Sequence, residues 1–273
     1  MRMLFKSVLL FCLVTVTSTV TPVVLATLNT LTLTGSSTVA PLALEIAKRY
    51  EKMHPGVRID VQTGGSTRGV LDVMSGLADI GMASRELKPS EQGLNVYTIA
   101  LDGICIILHK SNPVSALSND QIIDIYTGKI RNWQAVGGED RTITVINKAE
   151  GHSTLELFLH HFKLKNSQIK PDIIIGDNEQ GIKTLAGNPG AIGYVSIGTA
   201  EYDEQQGVPI KRLAIEGVTA SVAQVRAKQF PLMRPLNLLT KGSSSELAKQ
   251  FLDFAQSEAV DDLIEMLYFV PMH

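Results

Sequence analysis

The chain has little cysteine, no excess of charge and, past its first stretch, no long apolar run. Two cysteines in 273 residues cannot staple a small disulfide scaffold, and no Cys/His spacing resembles a structural zinc site. Lysine and arginine number 25 against 27 aspartate and glutamate, a net charge of −2, which excludes a basic nucleic-acid binder. There is no tandem repeat of fixed period and no low-complexity tract. The single tryptophan, Trp133, reads as a packed surface aromatic rather than a stacking platform. What is present is an ordinary globular composition, 44% hydrophobic and 19% charged with 22 Gly and 11 Pro, on a length that suits one large or two medium domains.

The one long apolar run opens the chain. Arg2 and Lys6 precede Ser7 to Val24, which carries no charge, and Val24-Leu25-Ala26 puts small or tolerated residues at the −3 and −1 positions of a cleavage site. This predicts a secretory signal peptide over residues 1–26. The rival is an uncleaved anchor, since the run is nearly long enough to span a bilayer. A lipoprotein signal fits less well, because bulky Phe11 precedes Cys12. Cleavage leaves Cys105 as the only cysteine, within the apolar run Ile104 to Leu108. It is expected to be a buried, inert thiol with no internal disulfide.

After residue 30 the pattern is strand, glycine turn, helix, repeated. Leu31 and Leu33 begin a strand ending at Gly35. A helix then carries Leu42, Ile46, Tyr50 and Met53 on one stripe and stops near Pro55-Gly56. Val57, Ile59 and Val61 alternate as a strand, and a second helix aligns Val70, Leu71, Met74 and Leu77. Strands follow at Ala78 to Ala83, Ile104 to Leu108, Ile143 to Ile146 and Ala191 to Val195. Ser118 to Gln121 and Ser243 to Glu246 read as capping boxes that open helices, and Leu155, Phe158, Leu159 and Phe162 align on another. The order predicts an α/β fold with a mainly parallel sheet flanked by helices.

Three turns share a chemistry: Gly35-Ser36-Ser37-Thr38, Gly64-Gly65-Ser66-Thr67 and Gly151-His152-Ser153-Thr154. Each follows a predicted strand and puts hydroxyls at the start of a helix. Such an end offers unpaired N–H groups and a partial positive charge, and glycine lets an anion approach closely. Ser and Thr are also simply good N-caps; it is the threefold recurrence that points to a shared oxyanion site. None of the turns is a P-loop, because no Lys-Ser or Lys-Thr follows the glycines. Gly151-His152-Ser153-Thr154-Leu155 fails the nucleophile-elbow pattern at its last position. His152, His160 and His161 do not share a face at metal-ligand spacing, so neither a metal nor a cofactor is expected. Arg68, opening the second helix, reads as a solvated arginine more readily than an anion ligand.

The runs LTLTGSSTVAPLALEIAKRYEKMHPGVRIDVQTGGSTRGVLDVMSGLADIGMASRELK and ALDGICIILHKSNPVSALSNDQIIDIYTGKIRNWQAVGG resemble the periplasmic phosphate-binding proteins of ABC importers. So do GNPGAIGYV and FPLMRPLNLLTKG, and the pieces keep the family's order over nearly all of the chain past residue 26. The resemblance implies a two-lobed fold, with residues 27–104 plus 237–273 in one lobe, 105–236 in the other, and the ligand in the cleft between them. It implies a monomeric binding protein rather than an enzyme. That protein would be exported to the periplasm, capture inorganic phosphate and partner a membrane permease.

Carried over by position, the resemblance assigns ligand contacts to Ser37, Thr38 and the N–H of Val39, to Ser66 and Thr67, and to Ser84 and Arg85. Some relatives have Asp in place of Arg85, where it accepts the proton of hydrogen phosphate. Asp102 is then either the replacement acceptor or a hinge residue. The third turn contributes Lys148, Gly151, His152, Ser153 and Thr154. It departs from the family's Arg-x-x-Gly-Ser-Gly-Thr in having Lys148 for Arg, His152 for Ser and Ser153 for Gly. These changes keep other ligands open: sulfate, molybdate, tungstate or a phosphorylated small molecule. A periplasmic phosphatase built on Ser153 beside His152 is a further alternative, as is an attachment or sensing role on the same fold.

Overall fold

The computed structural model describes residues 29–273; the signal peptide expected over 1–26 lies outside them. Alternating leucines bury one face of β1 (Asn29–Gly35), and α1 (Ala40–Met53) follows it, with Leu42, Ile46 and Tyr50 turned inward. Met53 was expected on that stripe but is 53% exposed. Tyr50 packs on His54, Phe251 and Phe254 and closes that end of the core one turn earlier. Next come β2 (Val57–Thr63), α2 (Ser66–Ser75) and β3 (Ile80–Ala83).

Helix α2 turns out differently from its sequence pattern. Leu71 and Leu77 are 58% and 74% exposed, while Gly69, Val70 and Val73 face the sheet. The cause is Gly69: a Cβ there would lie 2.6 Å from the carbonyl oxygen of Met82 and 2.7 Å from that of Thr34. The helix backbone rests directly on β1 and β3, and this fixes which face is buried.

The 16-residue β4 (Leu94–His109) is far longer than the apolar run Ile104 to Leu108 suggests. It leads through α3 (Asn119–Tyr126) to β5 (Thr144–Lys148), α4 (Ser153–His161), β6 (Ile173–Ile175) and α5 (Asn178–Ala186). Then follow β7 (Ala191–Ser196), α6 (Ile197–Gln205), β8 (Ile210–Arg212), α7 (Val222–Arg226), β9 (Met233–Lys241), α8 (Glu246–Ala255) and α9 (Asp261–Met266). Ser118 and Gln121 do form a reciprocal capping box on α3. The cap of α8 is Ser245, not Ser243: its hydroxyl accepts from the N–H of Ala248. Trp133 is a core residue, 1% exposed, and its indole N–H donates to Gly190 O at 2.8 Å.

The strands lie in the order β2-β1-β3-β9-β4-β7-β5-β6, with β8 on β4. Pairings among β1, β2 and β3 and among β5, β6 and β7 are parallel; every antiparallel pairing involves β4 or β9. These two strands cross between two hydrophobic cores, so they run against their neighbours. One core gathers Leu33, Leu42, Ile46 and Phe251, and the other Ile106, Phe158, Tyr194 and Leu232. β4 leaves β9 at the Gly103–Met233 pair and joins β7 at the next residue, Ile104. The molecule is a two-lobed α/β protein.

Candidate functional site

The three glycine-hydroxyl turns end against one another. The Ser66 hydroxyl, at the start of α2, lies 2.9 Å from that of Ser153, at the start of α4. The Ser153 hydroxyl also meets that of Ser84, just past β3, at 2.5 Å. Ser84 accepts from the Ser36 hydroxyl at 2.9 Å, and Ser36 Oγ accepts from the N–H groups of Thr38 and Val39 in the turn that leads into α1. Backbone contact reinforces the join, because Thr67 N–H donates to Gly151 O at 3.1 Å. Only glycine fits at residue 65, which has φ 90°; a Cβ there would sit 2.6 Å from Gly151 O.

At the centre lies Arg234, on β9, 3% exposed. Its Nη1 donates to Thr154 Oγ1 at 2.8 Å and its Nη2 to Thr38 Oγ1 at 3.2 Å. Its Nε and Nη2 both reach Asp102 Oδ2, at 3.0 and 2.8 Å. The other carboxylate oxygen, Oδ1, accepts from the Ser196 hydroxyl at 2.9 Å and from Gly198 N–H. A buried guanidinium needs such a counter-charge, since desolvating either ion alone is costly.

The hydroxyls are polarised by these bonds. Thr38 Oγ1 accepts from Arg234 and also from Asn178 Nδ2 at 3.3 Å. With its lone pairs engaged, its proton is left to donate. Thr154 Oγ1 accepts from Arg234 in the same way. Thr38, Ser66, Ser84, Ser153 and Thr154 are each under 5% exposed. The cluster is therefore a dry set of donors from both lobes, built on the N-termini of α1, α2 and α4, and it suits an oxyanion.

Of the residues singled out from the sequence, Thr38, Ser66, Ser84, Ser153 and Thr154 are brought together here. Val39 gives its N–H to Ser36, and half-buried Ser37 lines a neighbouring groove. Thr67 and Gly151 meet across the lobes through their backbones, beside the cluster. Arg85 points away: its guanidinium forks onto Glu91 at 2.7 and 2.8 Å. Asp102, expected as a proton acceptor or a hinge, has both oxygens engaged and holds Arg234 in place. The His152 ring turns back, with Nδ1 3.1 Å from Ala149 O.

Lys148 is 2% exposed at the end of β5. Burial, helped by repulsion from Arg234 and opposed by Asp177, brings its ammonium down to about 7. Cys105 is buried and its thiol is pushed up by desolvation, so it is unreactive. Among the described residues, no group of three or more His, Cys, Asp or Glu is placed to hold a metal ion. No described helix is long and apolar enough to cross a membrane.

Arg234, Ser36 and Asn178 were not assigned a role from the sequence. A signal for Arg234 was there to read: one charge inside the otherwise apolar Leu232-Met233-Arg234-Pro235-Leu236 has to be paired or functional. Nothing local marks Asn178.

Comparison with known proteins agrees with this architecture. A family model described as a PBP superfamily domain matches residues 20–259. The phosphate-binding protein PstS of Bacillus subtilis is 30% identical over 240 residues, 86% of this chain and 78% of that protein. A candidate phosphate ABC transporter substrate-binding protein of Clostridium perfringens, solved with bound phosphate, superposes with a TM-score of 0.83. Its identity is 32%, with 90% of this chain and all of that one covered. An ABC-type phosphate transport receptor of Vibrio cholerae gives a TM-score of 0.71 at 29% identity, covering 89% and 99%.

Proposed function

Because this chain belongs to the PBP superfamily, we propose that it is the solute-binding protein of an ABC importer. It captures inorganic phosphate outside the cytoplasm, after loss of residues 1–26, and delivers it to a membrane permease. The observation that carries the reading is the buried donor cluster, in which Arg234 bridges Thr38 of one lobe and Thr154 of the other. A tetrahedral oxyanion meets hydroxyl protons and helix N-termini from three directions. Exclusion of water strengthens each of those bonds. Likeness to phosphate-binding relatives along most of the chain supports the choice of ligand.

The lobes are divided at the crossings of β4 and β9. The first lobe takes residues 27–104 and the C-terminal segment, the second the residues between. β9 pairs with β4 from Met233 onward, so the return crossing belongs near Met233, a few residues before the boundary at 237 that the resemblance implies. Closure and opening act at these two strands, and the anion sits where the lobes meet.

Binding proceeds without bond cleavage. The Ser153 hydroxyl is engaged with Ser66 and Ser84, while the one neighbouring imidazole, His152, faces a carbonyl. That leaves Ser153 with no base to activate it. Isothermal titration with phosphate, sulfate and molybdate tests the reading, and absence of heat with phosphate overturns it. Turnover of a chromogenic phosphate ester that is lost in Ser153→Ala would instead favour a hydrolase.

One observation favours a second ligand class. No carboxylate oxygen in the cluster is left to accept the proton of hydrogen phosphate, because Asp102 is fully engaged. A fully deprotonated oxyanion such as sulfate or molybdate would meet no unmatched group. The same titration separates the two.

A further inference from the structure

Arg85 is turned from the anion cluster into a network that spans both lobes. From the first lobe, its guanidinium is held two-pronged by Glu91 and by the Glu86 carbonyl. Its Nε lies 2.9 Å from Oε2 of Glu156, an ion pair rather than an aligned hydrogen bond. Glu156 belongs to the first turn of α4, in the second lobe. Its other oxygen, Oε1, takes Lys88 Nζ at 2.9 Å and the Thr67 hydroxyl at 3.3 Å, both from the first lobe. Arg85 and Glu91 side chains are 10% exposed and Glu156 27%, so this part of the network is largely shielded from water, whereas Lys88 is 46% exposed.

We propose that Glu156 is a clamp residue that holds the two lobes together and sets how fast the anion is released. This deepens the solute-binding reading above and rests on it. Glu91 keeps Arg85 fixed whichever way the lobes stand, so docking Glu156 orders few additional groups. Separation of the lobes strips Glu156 of all three first-lobe partners while leaving Arg85 paired. Glu156 stands only two residues past Thr154 and three past Ser153. The helical turn that carries the second lobe's hydroxyls is therefore the one pulled onto the first lobe. Arg85 thus acts on the ligand through Glu156 and not by touching it.

The test uses the intact mature chain and Glu156→Gln, which preserves shape and removes the charge. Small-angle scattering without added anion should show a larger radius of gyration than the unmodified protein. Stopped-flow dissociation of phosphate should be faster by about tenfold. Lys88→Met, which removes the more exposed partner, should speed release by only about twofold. If Glu156→Gln changes neither radius nor release rate, the clamp is overturned. Scattering needs no ligand, so a failure of the unmodified protein to bind phosphate would count against the proposed ligand alone. The radius would then decide the clamp.

Discussion

At the scale of single residues, the chemistry turns on one buried ion pair. Arg234 and Asp102 are both almost fully withdrawn from water, so removing either leaves the other without its counter-charge. Asp102→Asn and Arg234→Met should each lower stability by about 3–5 kcal/mol in denaturant titrations. The double variant should recover much of that loss yet fail to bind phosphate, because the bridge between Thr38 and Thr154 is gone. Additive losses would refute the pairing as the source of the cost. Lys148 gives a second handle. Its ammonium titrates near 7 when folded and near 10.5 when unfolded. The unfolded chain therefore holds the extra proton between those values. The contribution to stability is complete above 10.5 and is lost as pH falls through about 7. Lys148→Met should flatten that part of the stability–pH curve. An arriving anion favours the charged form, so binding at pH 8 should take up more protons in the unmodified protein than in Lys148→Met. Calorimetry in two buffers of different ionisation enthalpy reads that difference. The hydroxyl turns were legible in the sequence because glycine and hydroxyls cluster locally. Arg234 and Asp102 lie 132 residues apart, and only the fold reveals that they meet.

At the scale of elements, periodicity identified the strands and helices that pack in the ordinary way and misled where glycine replaces side-chain packing. In α1 the leucine and isoleucine stripe faces the core as its 3.6-residue repeat implies. In α2 a stripe of larger residues lies in solvent, because Gly69 lets the backbone of the helix touch the sheet. β4 is only partly legible, since residues such as Asn95, Thr98 and Asp102 interrupt it and only Ile104 to Leu108 is a continuous apolar run. The two glycines of this region make separable predictions. Gly69→Ala should destabilise the fold by about 1–3 kcal/mol, measured by denaturant titration, because the added methyl collides with two strand carbonyls. Gly65→Ala should weaken phosphate binding out of proportion to its effect on stability, because its methyl would press on Gly151 O of the other lobe and hold α2 off α4. Equal loss of binding in both variants, once corrected for stability, would remove the distinction.

At the scale of the whole molecule, two cores are joined by two strands and by a polar seam. The strands β4 and β9 run through the joint and pair with strands of both cores. The seam holds the groups proposed to take the anion, Thr38 and Ser66 from one side, Ser153 and Thr154 from the other. A ligand bound there contacts both lobes and is lost when either one unfolds. Its binding energy must therefore appear as stability of the entire chain. At a phosphate concentration a hundredfold above the dissociation constant, the gain is about 2.7 kcal/mol. For a chain of this size that corresponds to an increase in Tm of about 5–10 °C. Scanning calorimetry should show the shift with phosphate, as one transition. The Asp102→Asn, Arg234→Met double variant should show none. A rise in Tm confined to one of two resolved transitions would mean that the anion contacts a single lobe, and the seam between the lobes would no longer be its site.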